Sequence, residues 1–288
     1  MTQLAVEIYP TPDVHMECAD NLDFMRGLAN ESMKLIVTSP PYNIGKAYER
    51  RRSLDAYMFS QAQVISECIR LLHPKGSICW QIGNHITTNR EVVPLDIVLY
   101  PLFKSHGLIL RNRIIWHFEH GLHCASRFSG RYETILWFTK GKDYTFNLDP
   151  IRVPSKYPNK KYFKGPNAGE LSCNPLGKNP CDVWGIPNVK CNHVEKTIHP
   201  CQFPVELMER LVLSMTDEGD AVFDPYMGVG SAVIAALLHG RIGYGCDIVQ
   251  EYVDIAWQRI RELRAGRLRI RPMGKPIYDP TKPNGGYR

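Results

Sequence analysis

The segment Ala221-Val222-Phe223-Asp224 is a short apolar run that breaks at Pro225 into Tyr226-Met227-Gly228-Val229-Gly230, and the stretch from Ser231 to His239 that follows is nearly all apolar. A run of this kind, then a glycine turn, then a helix-forming stretch, reads as strand, turn and helix. In an α/β sheet the ligand crevice lies at such a turn. Gly228 and Gly230 let the backbone come close to a ligand at a helix N-terminus. Asp247 ends the next apolar run, Ile242 to Cys246. It lies about twenty residues on, where an acidic side chain can hold ribose hydroxyls. Phe223, Asp224, Pro225, Tyr226, Gly228, Gly230, Ser231 and Asp247 therefore outline a nucleoside-cofactor site. The dinucleotide fingerprint would need a third glycine where Val233 stands. The motif alone leaves a dinucleotide and S-adenosylmethionine both open.

The rest of the chain supplies the sheet that such a turn requires. Lys34 to Thr38 reads as a buried strand. Met58, Ala62, Ile65, Ile69 and Leu72 recur at helical spacing and stop at His73-Pro74-Lys75-Gly76. Ser77 to Ile82 is a second strand, Leu95 to Lys104 a helix, and Leu108 to Trp116 and Tyr132 to Phe138 two further strands. After Pro204, Met208, Leu211, Val212 and Met215 make another helical stripe, and Gln250 to Leu263 forms the last helix. Alternating strands and helices imply a mostly parallel sheet with helices on both faces. Leu148 to Glu195 breaks the pattern, being rich in Pro, Asn, Gly and Lys. It is too long for an idle connection in a compact domain, so a functional insert is expected. The divisions are 1–147, the insert 148–195, 196–265, and a basic tail 266–288 expected to be partly disordered.

The chain has 288 residues, 44% of them hydrophobic, which is enough for a real core. No apolar run reaches the roughly 20 residues of a membrane span. Met1 to Pro10 lacks the basic patch and apolar run of a signal peptide, so a cytoplasmic location is expected. The net charge of +6 fits a polyanionic partner. That charge gathers at Arg50 to Arg52, Lys156 to Lys164 and Arg259 to Arg271. Nine cysteines with no C-x-x-C pair argue against a disulfide framework. Cys173, Cys181, Cys191, His193, His199 and Cys201 are dense, but their spacing matches no zinc pattern, and no metal is expected.

A second constellation, Thr38-Ser39-Pro40-Pro41-Tyr42-Asn43, closes the first strand. Two successive prolines remove two backbone donors and fix the local backbone with its carbonyls outward. The Ser39 hydroxyl and the Pro40 carbonyl can then accept hydrogen bonds from an amino group, while Tyr42 offers a ring face to a planar base.

Together the two motifs resemble those of the amino-methylating DNA methyltransferases, whose tip reads (Asp/Asn/Ser)-Pro-Pro-(Tyr/Phe) and whose cofactor loop reads Asp-Pro-Phe-x-Gly-x-Gly. The resemblance covers nearly the whole chain. Tyr226 stands where phenylalanine is usual. Cys18-Ala19-Asp20 is similar to the family's Gly-Asp, with the glycine absent, and implies that Asp20 contacts the cofactor's adenine. Lys196 to Pro204 resembles the His-Pro-x-x-x-Pro element, which implies that His199 and Pro200 lie near the cofactor's methionine end. Thr38 would sit beside the cofactor at the base of the tip. The resemblance further implies a Rossmann-like fold and S-adenosylmethionine as cofactor.

The order of motifs, tip first and cofactor loop last, is the circularly permuted order of the family's β group. That order places target recognition at about Pro150 to Val194, where lysines suit phosphates and asparagines suit base edges. The partner implied is double-stranded DNA with a specific target sequence, with room for a cognate restriction endonuclease and for a monomer or a homodimer. Direct in-line transfer to a flipped-out base needs no enzyme nucleophile. The cysteine-dependent C5-cytosine alternative is disfavoured, since neither Pro180-Cys181 nor Pro200-Cys201 follows a buried strand. Ser39 and Phe203 to Leu207 are similar to the N4-cytosine members, whereas Pro41 to Lys46 recurs among N6-adenine members. The expectation is N4-cytosine, with N6-adenine as the alternative and a non-catalytic DNA-binding module behind both.

Overall fold

The computed structural model describes residues 12–277 apart from 47, 119, 122 and 191. The expectations on Met1 to Pro10, on Cys191 and on the tail beyond residue 277 lie outside the described residues. In chain order the elements are β1 (Val14–Cys18), α1 (Asn21–Arg26), β2 (Met33–Thr38), α2 (Leu54–Leu71) and β3 (Leu72–Ile82). A small hairpin follows, β4 (Asn84–Ile86) and β5 (Val92–Pro94), then α3 (Leu95–Ser105), β6 (Ile109–His117) and β7 (Tyr132–Thr139). A 3-10 turn at Asp149–Ile151 precedes β8 (Val183–Gly185), α4 (Val205–Met215), β9 (Ala221–Asp224), α5 (Ser231–Leu238), β10 (Ile242–Asp247) and α6 (Gln250–Arg264).

Eight of these strands form one sheet in the order β1-β10-β9-β2-β3-β7-β6-β8. Among the described strands of that sheet only β7 is antiparallel to its neighbours, β3 and β6. Helices cover both faces. On one, Leu207, Met208, Leu211, Ile234 and Ile260 pack on Leu35, Val37, Cys79 and Val222. On the other, Met25, Ile65, Leu71, Leu99 and Phe103 pack on Ile36, Ile78, Trp80 and Phe223. Each fully buried side chain of this size contributes about 1.5–3 kcal/mol. Losing the stripe of one helix would therefore exceed the net stability of roughly 5–15 kcal/mol typical of a domain.

The connection β2–α2–β3 lies on one face and β9–α5–β10 on the other, and β2 pairs directly with β9 through Leu35↔Val222 and Ile36↔Phe223. The strand order therefore reverses between them, which is where an open α/β sheet opens its crevice. Both sequence motifs leave the sheet at that point.

Several elements differ from the sequence reading. β1, α1, the β4–β5 hairpin and β8 were not expected. The His73-Pro74-Lys75-Gly76 break sits inside β3, at the sheet end away from the site. The buried face of α2 is Tyr57, Gln61, Val64, Ile65, Cys68 and Leu71, turned from the expected stripe because polar Gln61 points inward. As far as Ile277 the tail is docked. Glu195, only 4% exposed, accepts from Val205 N (2.8 Å) and Arg271 N (3.1 Å), and Glu206 pairs with the Arg271 guanidinium.

Candidate active site

The sheet order sets a row of functional groups along one edge, from Asp20 beyond β1, through Asp247, the Asp224–Gly230 loop and the Ser39 tip, to Gln81 and Glu133. They surround a cavity of about 800 Å³. Of the residues singled out in the sequence, Asp20, Ser39, Pro40, Pro41, Tyr42, His199, Pro225, Tyr226, Gly228, Ser231 and Asp247 line it. Thr38, Pro200, Phe223, Asp224 and Gly230 do not. Thr38, Phe223 and Asp224 are fully buried behind the wall.

Asp224 joins the two motifs. Its Oδ1 accepts from the Thr38 hydroxyl at 2.5 Å and from Tyr226 N at 3.0 Å, while its buried Oδ2 has no partner. Burial pushes this carboxyl up to about 7, against the two hydrogen bonds and with help from the charge on Asp247. Asp247 faces the cavity and accepts from Gly228 N (3.0 Å) and Val249 N (2.9 Å); burial raises its carboxyl too. The glycine loop needs its glycines. Gly228 and Gly230 have φ of 51° and 77°, and a Cβ on Gly228 would stand 3.1 Å from His199 Nε2. His199 lies between Tyr48, stacked at 5.7 Å, and Tyr252, edge-on at 4.5 Å. Burial, then the charge of Lys196, lowers its imidazole to about 4, so the ring is neutral near pH 7. Asp20 caps α1 by accepting from Leu22 N at 2.9 Å, and the Ser231 hydroxyl donates to Phe203 O at 3.0 Å.

At the tip, Ser39 Oγ and Tyr42 Oη are 3.2 Å apart. The Tyr42 hydroxyl also reaches Gln81 Oε1 (2.9 Å) and Glu133 Oε2 (3.2 Å), and Gln81 Nε2 donates to Glu133 Oε2 at 2.5 Å. Burial raises the Glu133 carboxyl, and hydrogen bonds from Gln81 and Tyr42 with the charge of Lys190 oppose that rise. A Cβ on Gly83 would come within 2.9 Å of the Tyr42 ring, so that glycine leaves room for the ring. Beyond the tip, Asn43 adopts φ 58° and exchanges two hydrogen bonds with the Arg52 backbone, at 2.8 and 2.7 Å. The Glu49 carboxylate accepts from the amides of Asn43, Ile44, Gly45 and Lys46. The loop after Pro41 is thus tied down from inside.

The sequence reading missed Gln61, Gln81, Glu133, Asn188 and Lys190, all in the cavity wall. Gln81 and Glu133 carried a signal, since each is a polar residue near the end of an apolar strand run. Asn188 and Lys190 come from the irregular insert, where no periodicity marks a face. Among the described residues no group of three or more His, Cys, Asp or Glu is placed to hold a metal ion. The arginines from Arg259 to Arg271 do not form one patch: Arg259 is buried against Val229 O at 2.6 Å, and Arg264, Arg267 and Arg271 pair with Asp13, Glu262 and Glu206.

The sequence profile of the family described as DNA methylase matches residues 33–258. This chain belongs to that family. It is 50% identical over 239 residues to the Type II methyltransferase M.BglII from Bacillus subtilis, covering 83% of this chain and 66% of that one. To the DNA adenine methyltransferase YhdJ of Escherichia coli it is 31% identical over 253 residues, covering 84% and 80%. A solved cytosine-N4-specific PvuII DNA methyltransferase superposes with a TM-score of 0.69 at 18% identity over 86% of each chain, which shows a shared fold. A DNA modification methylase from Thermus thermophilus, solved in complex with S-adenosyl-L-methionine, superposes with a TM-score of 0.63 at 25% identity, covering 88% and 94%. The chain thus has a Rossmann-like methyltransferase fold, as the family resemblance implied, on the mostly parallel sheet that the alternation of strands and helices predicted. Among the described residues no helix is long and apolar enough to cross a membrane.

Proposed function

We propose that this DNA methylase family member transfers a methyl group from S-adenosylmethionine to the exocyclic N4 of a cytosine flipped out of double-stranded DNA at a specific sequence. The observation that carries this reading is that the Ser39–Pro40 acceptors and the Gly228–Asp247 cradle face one cavity across the β2–β9 seam.

The residues present fit the cofactor. The Gly228 backbone leaves space that a Cβ would fill, and Asp247 presents a carboxylate for hydroxyl groups. The buried Tyr57 hydroxyl and Gln61 Oε1 have no protein partner and sit in the lining. Gly228, Asp247 and Asp20 would hold the nucleoside part. The neutral His199 and the rings of Tyr48 and Tyr252 suit a cationic centre, since ring faces attract cations. When bound, the cofactor supplies an electrophilic methyl group.

The amino nitrogen of a base is a poor nucleophile, because its lone pair is conjugated into the ring. Ser39 Oγ and Pro40 O accept its two N–H groups, favour a tetrahedral nitrogen and aim the lone pair. Pro41 stiffens that turn and Tyr42 packs beside the base. Asp224, through Thr38 on one side and Tyr226 N on the other, keeps the tip and the cofactor loop in register. Orientation of this kind supplies most of the acceleration in a one-step displacement. Lysines of the 148–195 insert meet phosphate, which adds affinity without sequence information.

Cytosine is favoured by the resemblance of the Ser39 tip to that of the N4-cytosine members; the 31% identity to an adenine methyltransferase favours N6-adenine as the second reading. Digestion of methylated DNA to nucleosides followed by mass spectrometry decides. N4-methylcytosine is expected, N6-methyladenine would move the reading to the second base, and 5-methylcytosine would overturn the mechanism.

A further inference from the structure

We propose that Ser39, Tyr42 and Glu133 form a proton relay that carries the surplus proton of the methylated amine away from the reacting nitrogen to a carboxylate in the cavity wall at the head of β7. This rests on the amino-methylation reading above and adds a fate for the proton.

The chemistry requires one. As the new N–C bond forms and the sulfonium S–C bond breaks, the sulfur becomes a neutral thioether and the nitrogen is left cationic with one proton too many. Of the two tip acceptors, the Pro40 carbonyl is a very weak base with no proton of its own to pass on. The Ser39 hydroxyl accepts and donates at once. When Ser39 Oγ accepts the amine N–H, its own proton points at Tyr42 Oη, 3.2 Å away. Tyr42 in turn has Glu133 Oε2 at 3.2 Å. The donors then run in one direction, from amine to Ser39, to Tyr42, to Glu133. In the transfer the amine proton moves to Ser39, the Ser39 proton to Tyr42 and the Tyr42 proton to Glu133, which ends as a neutral acid. No oxidant or further reactant is involved.

Gln81 sets the direction. Its Oε1 lies 2.9 Å from Tyr42 Oη, but an amide oxygen does not keep a proton. Its Nε2 holds Glu133 Oε2 beside Tyr42 at 2.5 Å, so rotation about the phenolic C–O bond moves the Tyr42 proton from amide to carboxylate. Burial raises the Glu133 carboxyl and so makes it a better base than a solvated one. The other charged or titrating groups that face this chain are Lys190, from the insert, toward Glu133, and the Cys201 thiol toward Tyr42. Both lie in the cavity wall.

Two variants test the relay. Glu133→Gln keeps an acceptor for Gln81 and Tyr42 but cannot take a proton, and Tyr42→Phe keeps the ring while removing the hydroxyl. The measurement is the single-turnover methylation rate of the full chain on its target DNA as a function of pH, beside calorimetry with S-adenosylmethionine. Each variant is expected to lose roughly 10²-fold in rate, with cofactor affinity unchanged. The double variant should be no slower than either single one, as expected for groups acting as a unit. Because Glu133 must be ionised to accept, the wild-type rate should rise with pH, and Glu133→Gln should flatten that limb. Glu133→Asp should restore part of the slope. A readout free of turnover comes from carbon-13 at the tyrosine Cζ. The Tyr42 resonance of the free protein should titrate in the wild type and stay flat in Glu133→Gln. A Glu133→Gln enzyme within about twofold of the wild-type rate and with the same pH profile would overturn the relay. A wild-type enzyme that forms no N-methylated base would instead overturn the functional reading, and the relay with it.

Discussion

Ser39, Thr38 and Asp224 stand at strand ends, where the Ser39 and Thr38 hydroxyls and Asp224 Oδ1 are held by protein partners at 2.5 to 3.2 Å. In the 148–195 insert Trp184 and Ile186 join the core, but the large side chains of the lysine-rich stretch look outward: Phe163 is 96% exposed and Tyr157 63%. The proposed function gives both regions a part, yet the polar groups of the first are held in place while these aromatic rings of the second stand in solvent. Preorganisation at the sheet edge suits a reaction that depends on orientation, while side chains left in water can adjust to a nucleic-acid surface. Asn188 and Lys190 are where the insert crosses over, since they reach the cavity wall.

The contrast is broken most severely at the tip. Ser39→Ala should lower single-turnover methylation by about 10²–10³-fold, the usual loss of one oriented acceptor, and leave cofactor affinity by calorimetry unchanged. Loss of cofactor binding would place Ser39 on the wrong side of the cavity. Asp247→Ala should weaken S-adenosylmethionine binding by roughly 10–100-fold, as expected for losing hydrogen bonds to a charged acceptor; an unchanged calorimetric affinity would remove Asp247 from the cradle. Gly83→Ala should cost about tenfold in rate with the fold intact by circular dichroism, because a few tenths of an ångström of shift in Tyr42 is felt in an oriented site.

How much of this was legible in the sequence follows from the same contrast. Asp224, Gly228, Gly230 and Asp247 declare themselves because strand, turn and helix are short-range patterns, and Ser39-Pro40-Pro41-Tyr42 because two prolines leave little conformational choice. β1 did carry a short signal, since Val14, Met16 and Cys18 alternate with His15 and Glu17, but only five residues long and with only Val14 buried it is faint. Its place is fixed by pairing with β10, far away in the chain. Gln61 falls on what reads as the polar side of α2, yet it turns inward to donate to the Tyr226 hydroxyl at 3.1 Å, a partner no local pattern can show. Glu133 and Gln81 meet only because β3 and β7 pair antiparallel, which periodicity does not specify.

Two smaller effects sharpen the comparison. Replacing Lys156, Lys160, Lys161 and Lys164 by Gln should weaken DNA binding several-fold and make the log–log salt slope shallower by about 0.9 for each phosphate no longer neutralised. The rate at saturating DNA should hardly move, and an unchanged salt slope would show that these lysines do not meet phosphate. Asp224 should leave a mark on stability. Its folded carboxyl stands at about 7 against an ordinary 3.8, so the folded state binds the proton more tightly than the unfolded one. The sign follows from linkage: this group's contribution to stability is greatest below its ordinary value and is lost as pH rises toward about 7. Asp224→Asn should flatten that decline in denaturant titrations run across the interval, and an unaltered slope would assign it to another group.

The neighbourhood of β1 and α6 bears on how such a chain could be rearranged. β1 pairs with β10, and Arg264 at the end of α6 reaches Asp13 just before β1 at 2.8 Å. β1 and α6 are therefore already side by side, as on a loop of string whose knot can be moved. A short link from α6 to β1, with a cut in the 148–195 segment, would leave every strand with its present neighbours while the glycine loop came to precede the proline tip. The cleft depends on which strands touch, and the order in which a ribosome delivers them is free to vary.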